Sequence, residues 1–279
     1  MGIMRGASPS TRRDRRTGIP FWRHRELIRQ LTRREILARY KGSVLGLGWS
    51  LIQPLVMLCI YTFVFSTIFE ARWGVEAAES RLDFALALFM GLITFGLFSE
   101  VANNAPALIL GHVNFVKKVV FPLEILPVVS FLGSLVTALF SLVVLIGGAI
   151  LIKGGLPWTA ALLPVVWLPI FALSLGAGFF LSSLGVFLRD IGPTVQLATT
   201  MLFFLSPILY PIGKVPEKFR TFVLMNPIAV CVEDARRVML WGQLPDWPVT
   251  AAAALFCFLA LLGGYGWFMK TKRAFADVV

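Results

Sequence analysis

Residues 38–54 read "ARYKGSVLGLGWSLIQP": a crowd of basic side chains ends at Arg39 and Lys41, three glycines follow (Gly42, Gly46, Gly48), and an apolar run opens at Trp49. Positive charge at the mouth of an apolar run is the mark of a membrane span entered from the cytoplasmic side. Composition agrees. The chain of 279 residues is 57% hydrophobic and 15% charged, with a mean hydropathy of +0.80. A water-soluble fold of this length exposes too much of its chain to hide that much apolar surface. Crossing a hydrocarbon core of about 30 Å takes about 20 residues. Six stretches qualify, roughly 45–69, 84–105, 123–151, 159–186, 194–212 and 249–269, each bounded by charge, by Gly/Pro or by both. The expected fold is therefore an all-α integral membrane protein of six transmembrane helices.

A net charge of +11 would suit a nucleic-acid binder, but its distribution excludes that partner. Twelve of the 26 basic residues precede residue 44, and Lys270, Lys272 and Arg273 follow the last span. Six spans place both basic termini on one side, the cytoplasmic one. The loops agree: "EARWGVEAAESRLD" carries more acid than base and should face outward, whereas "GHVNFVKKVV" holds Lys117 and Lys118 without an acid and should face inward. The Arg-rich, acid-poor N-terminus also has the composition of a mitochondrial presequence, although charge flanking explains the same residues without cleavage. No apolar stretch precedes residue 44 to suggest a secretory signal. Cys59, Cys231 and Cys257 lack metal or redox spacing and read as apolar filler.

The chain divides into a disordered basic tail (1–20), an amphipathic cytoplasmic interface helix (21–44) and a six-span transmembrane domain (45–279). Thr32 and Glu35 form a T-x-x-E capping box, which predicts that the interface helix is in two pieces. Beyond it Ile36, Leu37 and Tyr40 share one face, while Arg33, Arg34, Arg39 and Lys41 spread over the rest. That pattern fits a helix in the membrane interface with cations reaching into headgroups; a solvated basic helix is the alternative. Pro54, after Gln53, kinks the first span and places it inside the bundle. Tyr61, Phe65 and Phe69 follow at i, i+4, i+8, either as packing or as a pore wall of flat aromatic faces. From 206 to 248 the pattern changes. Pro207, Pro211 and Pro216 follow span five, and "VLMNPIAVCVEDARRVMLWG" is too short and too charged to cross. Two short helices dipping into the outer leaflet are expected, with Glu233, Asp234, Arg236 and Arg237 at the outer surface; an ordinary outer loop is the alternative.

Several chemistries have no signature here. No G-x-x-x-x-G-K-[ST] loop cradles a phosphate. His24 and His112 have no metal-ligand partner at useful spacing, so neither a metal site nor a catalytic residue is expected. Setting aside Glu124 at the very start of the third span, Glu100 is the one acid or base within the spans, and it lies near the cytoplasmic end, which argues against a proton- or sodium-coupled carrier and against an intramembrane enzyme.

Five stretches, in order, resemble one family. "RREILARYKGSVLGLGWSLIQPL" is similar to the interface-helix and first-span signature of type-2 ABC exporter permeases, which move O-antigen, capsular polysaccharide and teichoic acid. "NFVKKVVFPLEILP" (114–127) resembles their cytoplasmic coupling segment, and "GVFLRDIG" (185–192) the inner loop after span four. "FFLSPILYPIGKVPEKFR" (203–220) and "MNPIAVCVEDARRVML" (225–240) resemble the outer gate. The Gly192-Pro193 pair departs from the pattern. The resemblance spans roughly residues 30–273 and implies a homodimer around one channel in the bacterial inner membrane. Two copies of a separate ATP-binding subunit would hold the ATP and Mg, with no cofactor on this chain and a lipid-linked glycan as substrate. It further implies roles by position. Arg33, Arg34, Arg39, Tyr40, Lys41, Gly42 and Gly46 would stand at the substrate doorway and contact lipid headgroups. Trp49, Tyr61, Phe65, Phe69, Phe203, Phe204 and Tyr210 would line the channel. His112, Asn114, Phe115, Lys117 and Lys118 would couple to the ATPase. Pro207, Pro211, Asn226, Pro227, Glu233 and Arg236 would form the outer gate.

Overall fold

The longest helix, α4 (Ile125–Lys153), runs 29 residues because nothing between Glu124 and Lys153 carries a charge. It stops where Gly154 adopts the left-handed conformation (φ 76°) and its N–H bonds back to the Ile150 carbonyl at 2.9 Å, a turn that a β-carbon would oppose. The computed structural model describes residues 24–39, 48–64, 81–113, 121–188 and 190–278. Among them every regular element is helical. The principal helices are α1 (Arg25–Arg39), α2 (Trp49–Tyr61), α3 (Arg81–Leu108), α4, α5 (Leu168–Phe187), α6 (Ile191–Leu205), α7 (Glu217–Leu224), α8 (Pro227–Arg236) and α9 (Trp247–Thr271). Two short helical turns, Trp158–Leu162 and Leu163–Val166, lead into α5.

Four helical stretches are long and apolar enough to cross a membrane: Leu82–Leu108, Ile125–Lys153, Trp158–Phe187 and Trp247–Ala274. Two further apolar helices, Trp49–Val64 and Ile191–Leu205, are shorter. The chain is thus an all-helical, multi-pass membrane protein. Helix α6 ends at Leu205, ahead of the Ser206-Pro207 step, because the residue before a proline is pushed out of the helical region; Ser206 sits extended at φ −92°, ψ 147°.

Helix α3 is the centre of the bundle, with 78% of its most apolar window buried against 17% for α4 and 22% for α9. It packs on α4 and α5, and α5 in turn packs most extensively on α9. Lipid tails are as apolar as leucine, so the hydrophobic effect does not hold such helices together; close packing and interhelical hydrogen bonds do. Both occur here. A β-carbon on Gly176 of α5 would stand 2.8 Å from the Ala260 carbonyl oxygen of α9, and one on Gly264 would run into the Gly176 backbone. Only glycine permits that approach. On α3, the Thr94 hydroxyl donates to the Met90 carbonyl (3.1 Å) and accepts from the Trp167 indole N–H (3.2 Å). Thr199 of α6 donates to Asn103 Oδ1 of α3 at 3.0 Å.

Helix α1 corrects one expectation. It is a single helix, with Thr32 in its middle and buried, rather than two pieces divided by a capping box. Ile28 packs on Ile125 and Val129 of α4, and Ile28 and Thr32 share a face one turn apart. Breaking the helix at Thr32 would pull that face off α4, so tertiary packing overrides the local signal.

Candidate functional site

The two ends of the bundle are built differently. At one rim Asp83, in the first turn of α3, pairs with Lys153, in the last turn of α4, at 3.1 Å; each charge suits its helix dipole. Lys153 also donates to the Leu240 carbonyl at 3.0 Å, and Thr159 donates to the Val238 carbonyl at 2.7 Å. At the opposite rim Glu124 pairs with Lys272, and Ser183 of α5 hydrogen-bonds Thr271 of α9 at 2.6 Å.

The Asp83 rim holds the least expected residue. Arg236, at the end of α8, is fully buried. Its Nε donates to the Ala87 carbonyl of α3 at 2.7 Å, its Nη1 to the Pro207 carbonyl at 2.5 Å and its Nη2 to the Ile208 carbonyl at 2.7 Å. Glu233, one turn earlier, stands 3.7 Å from the same guanidinium. Three fixed N–H donors of a planar fork thus tie α8 to two other backbone segments, α3 and the Pro207-Ile208 step, which a lysine could not reproduce. The fork needs room on α3, and Gly91 provides it: a β-carbon there would strike the guanidinium. Burial raises the Glu233 carboxyl, opposed by Arg236. It also raises that of Asp234, opposed by a 2.6 Å bond from the Thr250 hydroxyl. Burial lowers the guanidinium to about 10, which leaves it charged at neutral pH.

This corrects the expected surface position of the acidic and basic cluster: Arg236 and Asp234 are buried, and Glu233 and Arg237 are half-buried. The carbonyls of the proline-interrupted segment 206–211 have lost helical partners, and an interior cation supplies them. The other residues expected here belong to the same segment or to the far end of α8. Pro207 and Pro211 are buried. Asn226 caps α8, accepting from the Ile228 N–H (3.0 Å) and donating to Ser206 Oγ (2.9 Å). Pro227 opens the helix where no N–H partner is required. Tyr210 donates to the Phe204 carbonyl at 3.2 Å.

The aromatic candidates divide. Trp49 is 44% and Phe204 60% exposed, on the two shorter helices α2 and α6. Phe203 turns inward, edge-on to Phe95 at 5.4 Å. Tyr61, with Gln53 and Ser50, lines a crevice of about 200 Å³ between α2, α3 and α4. Arg33 and Arg34 are exposed on α1, and Arg39 ends it. His112 closes a 3-10 turn after α3, its Nδ1 2.8 Å from the Leu108 carbonyl. Tyr40, Lys41, Gly42, Gly46, Phe65, Phe69, Asn114, Phe115, Lys117 and Lys118 lie outside the described residues. No cluster of side chains suited to a metal ion occurs among the described residues.

The chain belongs to the ABC-2 type transporter family, whose pattern matches residues 26–240. Among individual proteins it is 25% identical over 256 residues to the O-antigen export system permease protein RfbA of Klebsiella pneumoniae, covering 91% of this chain and 95% of that one. The protein of the same name from Myxococcus xanthus is 25% identical over 261 residues, covering 93% and 97%. The polysialic acid transport protein KpsM of Escherichia coli is 24% identical over 251 residues, covering 88% and 94%.

Proposed function

We propose that this chain is the permease subunit of an ATP-driven exporter that carries a lipid-linked, O-antigen-like polysaccharide across the bacterial inner membrane. The observation that carries the reading is the near end-to-end match to permeases named for O-antigen export, joined by one named for polysialic acid transport. In this reading α2 and α6 complete six spans, both termini are cytoplasmic, and the Asp83 rim faces outward. Two copies form one channel, since a long glycan cannot be enclosed in a midplane pocket, and the exposed Trp49 and Phe204 offer flat apolar faces to the passing chain. Arg34, Arg39 and Lys41 meet the anionic anchor at the cytoplasmic face, beside the glycines of the doorway. The tied segment of Pro207, Pro211, Asn226, Pro227, Glu233 and Arg236 shapes the outer exit.

ATP and Mg belong to two copies of a separate subunit, which docks on the segment His112–Lys118. Reversing the charge of Lys117 and Lys118 to Glu is expected to abolish copurification of that subunit and to stop export while the permease level holds. Undiminished copurification would overturn the docking assignment. The function itself is tested by deleting the gene and extracting lipid-linked glycans: one polymer should accumulate on the cytoplasmic side and return to the surface on complementation. Unchanged surface glycan, with no accumulated precursor, would refute the reading and favour a small-molecule exporter of the same architecture.

A further inference from the structure

Helix α1 does not lie flush on α4. Between them runs an open groove of about 1120 Å³, larger than the roughly 300–1,000 Å³ that holds a small molecule. One edge carries Arg25, Arg29 and Arg33, spaced i, i+4, i+8 and therefore stacked on one face of α1. Its floor is Leu132, Leu135 and Val136 of α4. Neither acid of α1, Glu26 or Glu35, lines it. Thr32 forms part of the groove wall with 9% of its surface exposed, its hydroxyl oxygen itself being covered. A greasy groove edged by three guanidinium groups calls for a ligand with both an anionic head and an apolar body.

We propose that this groove binds one anionic phospholipid of the surrounding bilayer, its phosphate held by Arg25, Arg29 and Arg33 and its acyl chains lying on Leu132, Leu135 and Val136. Charge excludes the nearest competitors. Residues 1–23 carry six arginines against one acid, so the chain's own N-terminal segment is repelled by the arginine column, and so is α1 of a second copy. An acidic protein surface would satisfy the arginines and leave the apolar floor bare; a phospholipid satisfies both. The inference requires only that the chain sits in a membrane. It can fail while the export reading stands, and the export reading can fail while it holds.

The test uses the full-length chain in mixed micelles of equimolar phosphatidylglycerol and phosphatidylcholine, with retained lipid read by native mass spectrometry. Wild type should keep phosphatidylglycerol and shed phosphatidylcholine. R25Q/R29Q/R33Q should lower phosphatidylglycerol retention on the order of a hundredfold, from roughly fivefold per arginine near an anionic lipid. Leu132→Trp, or Val136→Trp if the first is not monodisperse, fills the groove without altering charge and should also release the lipid. Equal retention of both lipids by wild type would overturn the proposal. Loss only in the arginine variant, with the tryptophan variants unaffected, would also overturn it by showing diffuse surface attraction. A third arm adds a polyprenyl diphosphate: if this displaces phosphatidylglycerol at equal concentration, the groove belongs to the substrate's anchor and the phospholipid assignment falls.

Discussion

Replacing Arg236 by Met is expected to destabilise the protein by about 3–5 kcal/mol, the range for removing one partner from a buried charged pair. The Ala87, Pro207 and Ile208 carbonyls lose their donors together, and the half-buried Glu233 carboxylate loses its ion-pair partner. At about 2–4 °C per kcal/mol, the thermal midpoint should fall by roughly 6–20 °C, read by gel filtration of the fluorescently tagged protein after heating. Arg236→Lys should fall between, because an ammonium donates to the same carbonyls but not along the directions of the fork. An unchanged midpoint for Arg236→Met would show that the three carbonyls find water or other partners, and the buried guanidinium would lose its structural role.

The second large effect separates two adjacent glycines. Gly264→Ala should destabilise by about 1–3 kcal/mol or more, because its β-carbon meets the Gly176 backbone, which cannot rotate aside as a side chain does. Gly263→Ala, one residue earlier on the same helix, has nothing within 4 Å of its β-carbon. It should leave stability unchanged or raise it by up to about 1 kcal/mol through helix propensity. The same chemical change thus has opposite signs at neighbouring positions, and thermal midpoints of the two variants decide it. Equal midpoints would mean that α5 and α9 are not in backbone contact.

The long helices were legible because hydropathy over 20 residues is a sum, insensitive to any single side chain. The stretch expected at 123–151 is the helix Ile125–Lys153, and that expected at 84–105 is Arg81–Leu108. The same averaging blurred residues 194–212: it ran past Ser206, where a backbone rule about prolines ends α6. The Thr32–Glu35 pair carried a genuine capping pattern, yet Ile28, on the same face, had a partner in α4 that a reading of four residues does not include. Arg236 was misplaced for a related reason. The run "EDARR" looks like surface when counted as charge. Counted as helix, Ile228, Val232 and Arg236 fall at i, i+4, i+8 on one buried face. That period was readable, and it pointed inward. What no single-chain pattern contained was the destination of the guanidinium, since Ala87 lies 149 residues away.

The carbonyl of Ala87 belongs to the same unbroken helix that ends, at Leu108, just before the His112 turn at the far rim. Twenty-eight residues make a strut of about 42 Å at 1.5 Å per residue. In the proposed reading, where the ATP-binding subunit docks at the His112 turn, a push there would be delivered along one continuous helix to the segment that grips Arg236, with no sliding interface between them. Pro106, the one proline of that helix, has no N–H to donate to the preceding turn, so in that reading any give would be concentrated in the last turn above the push.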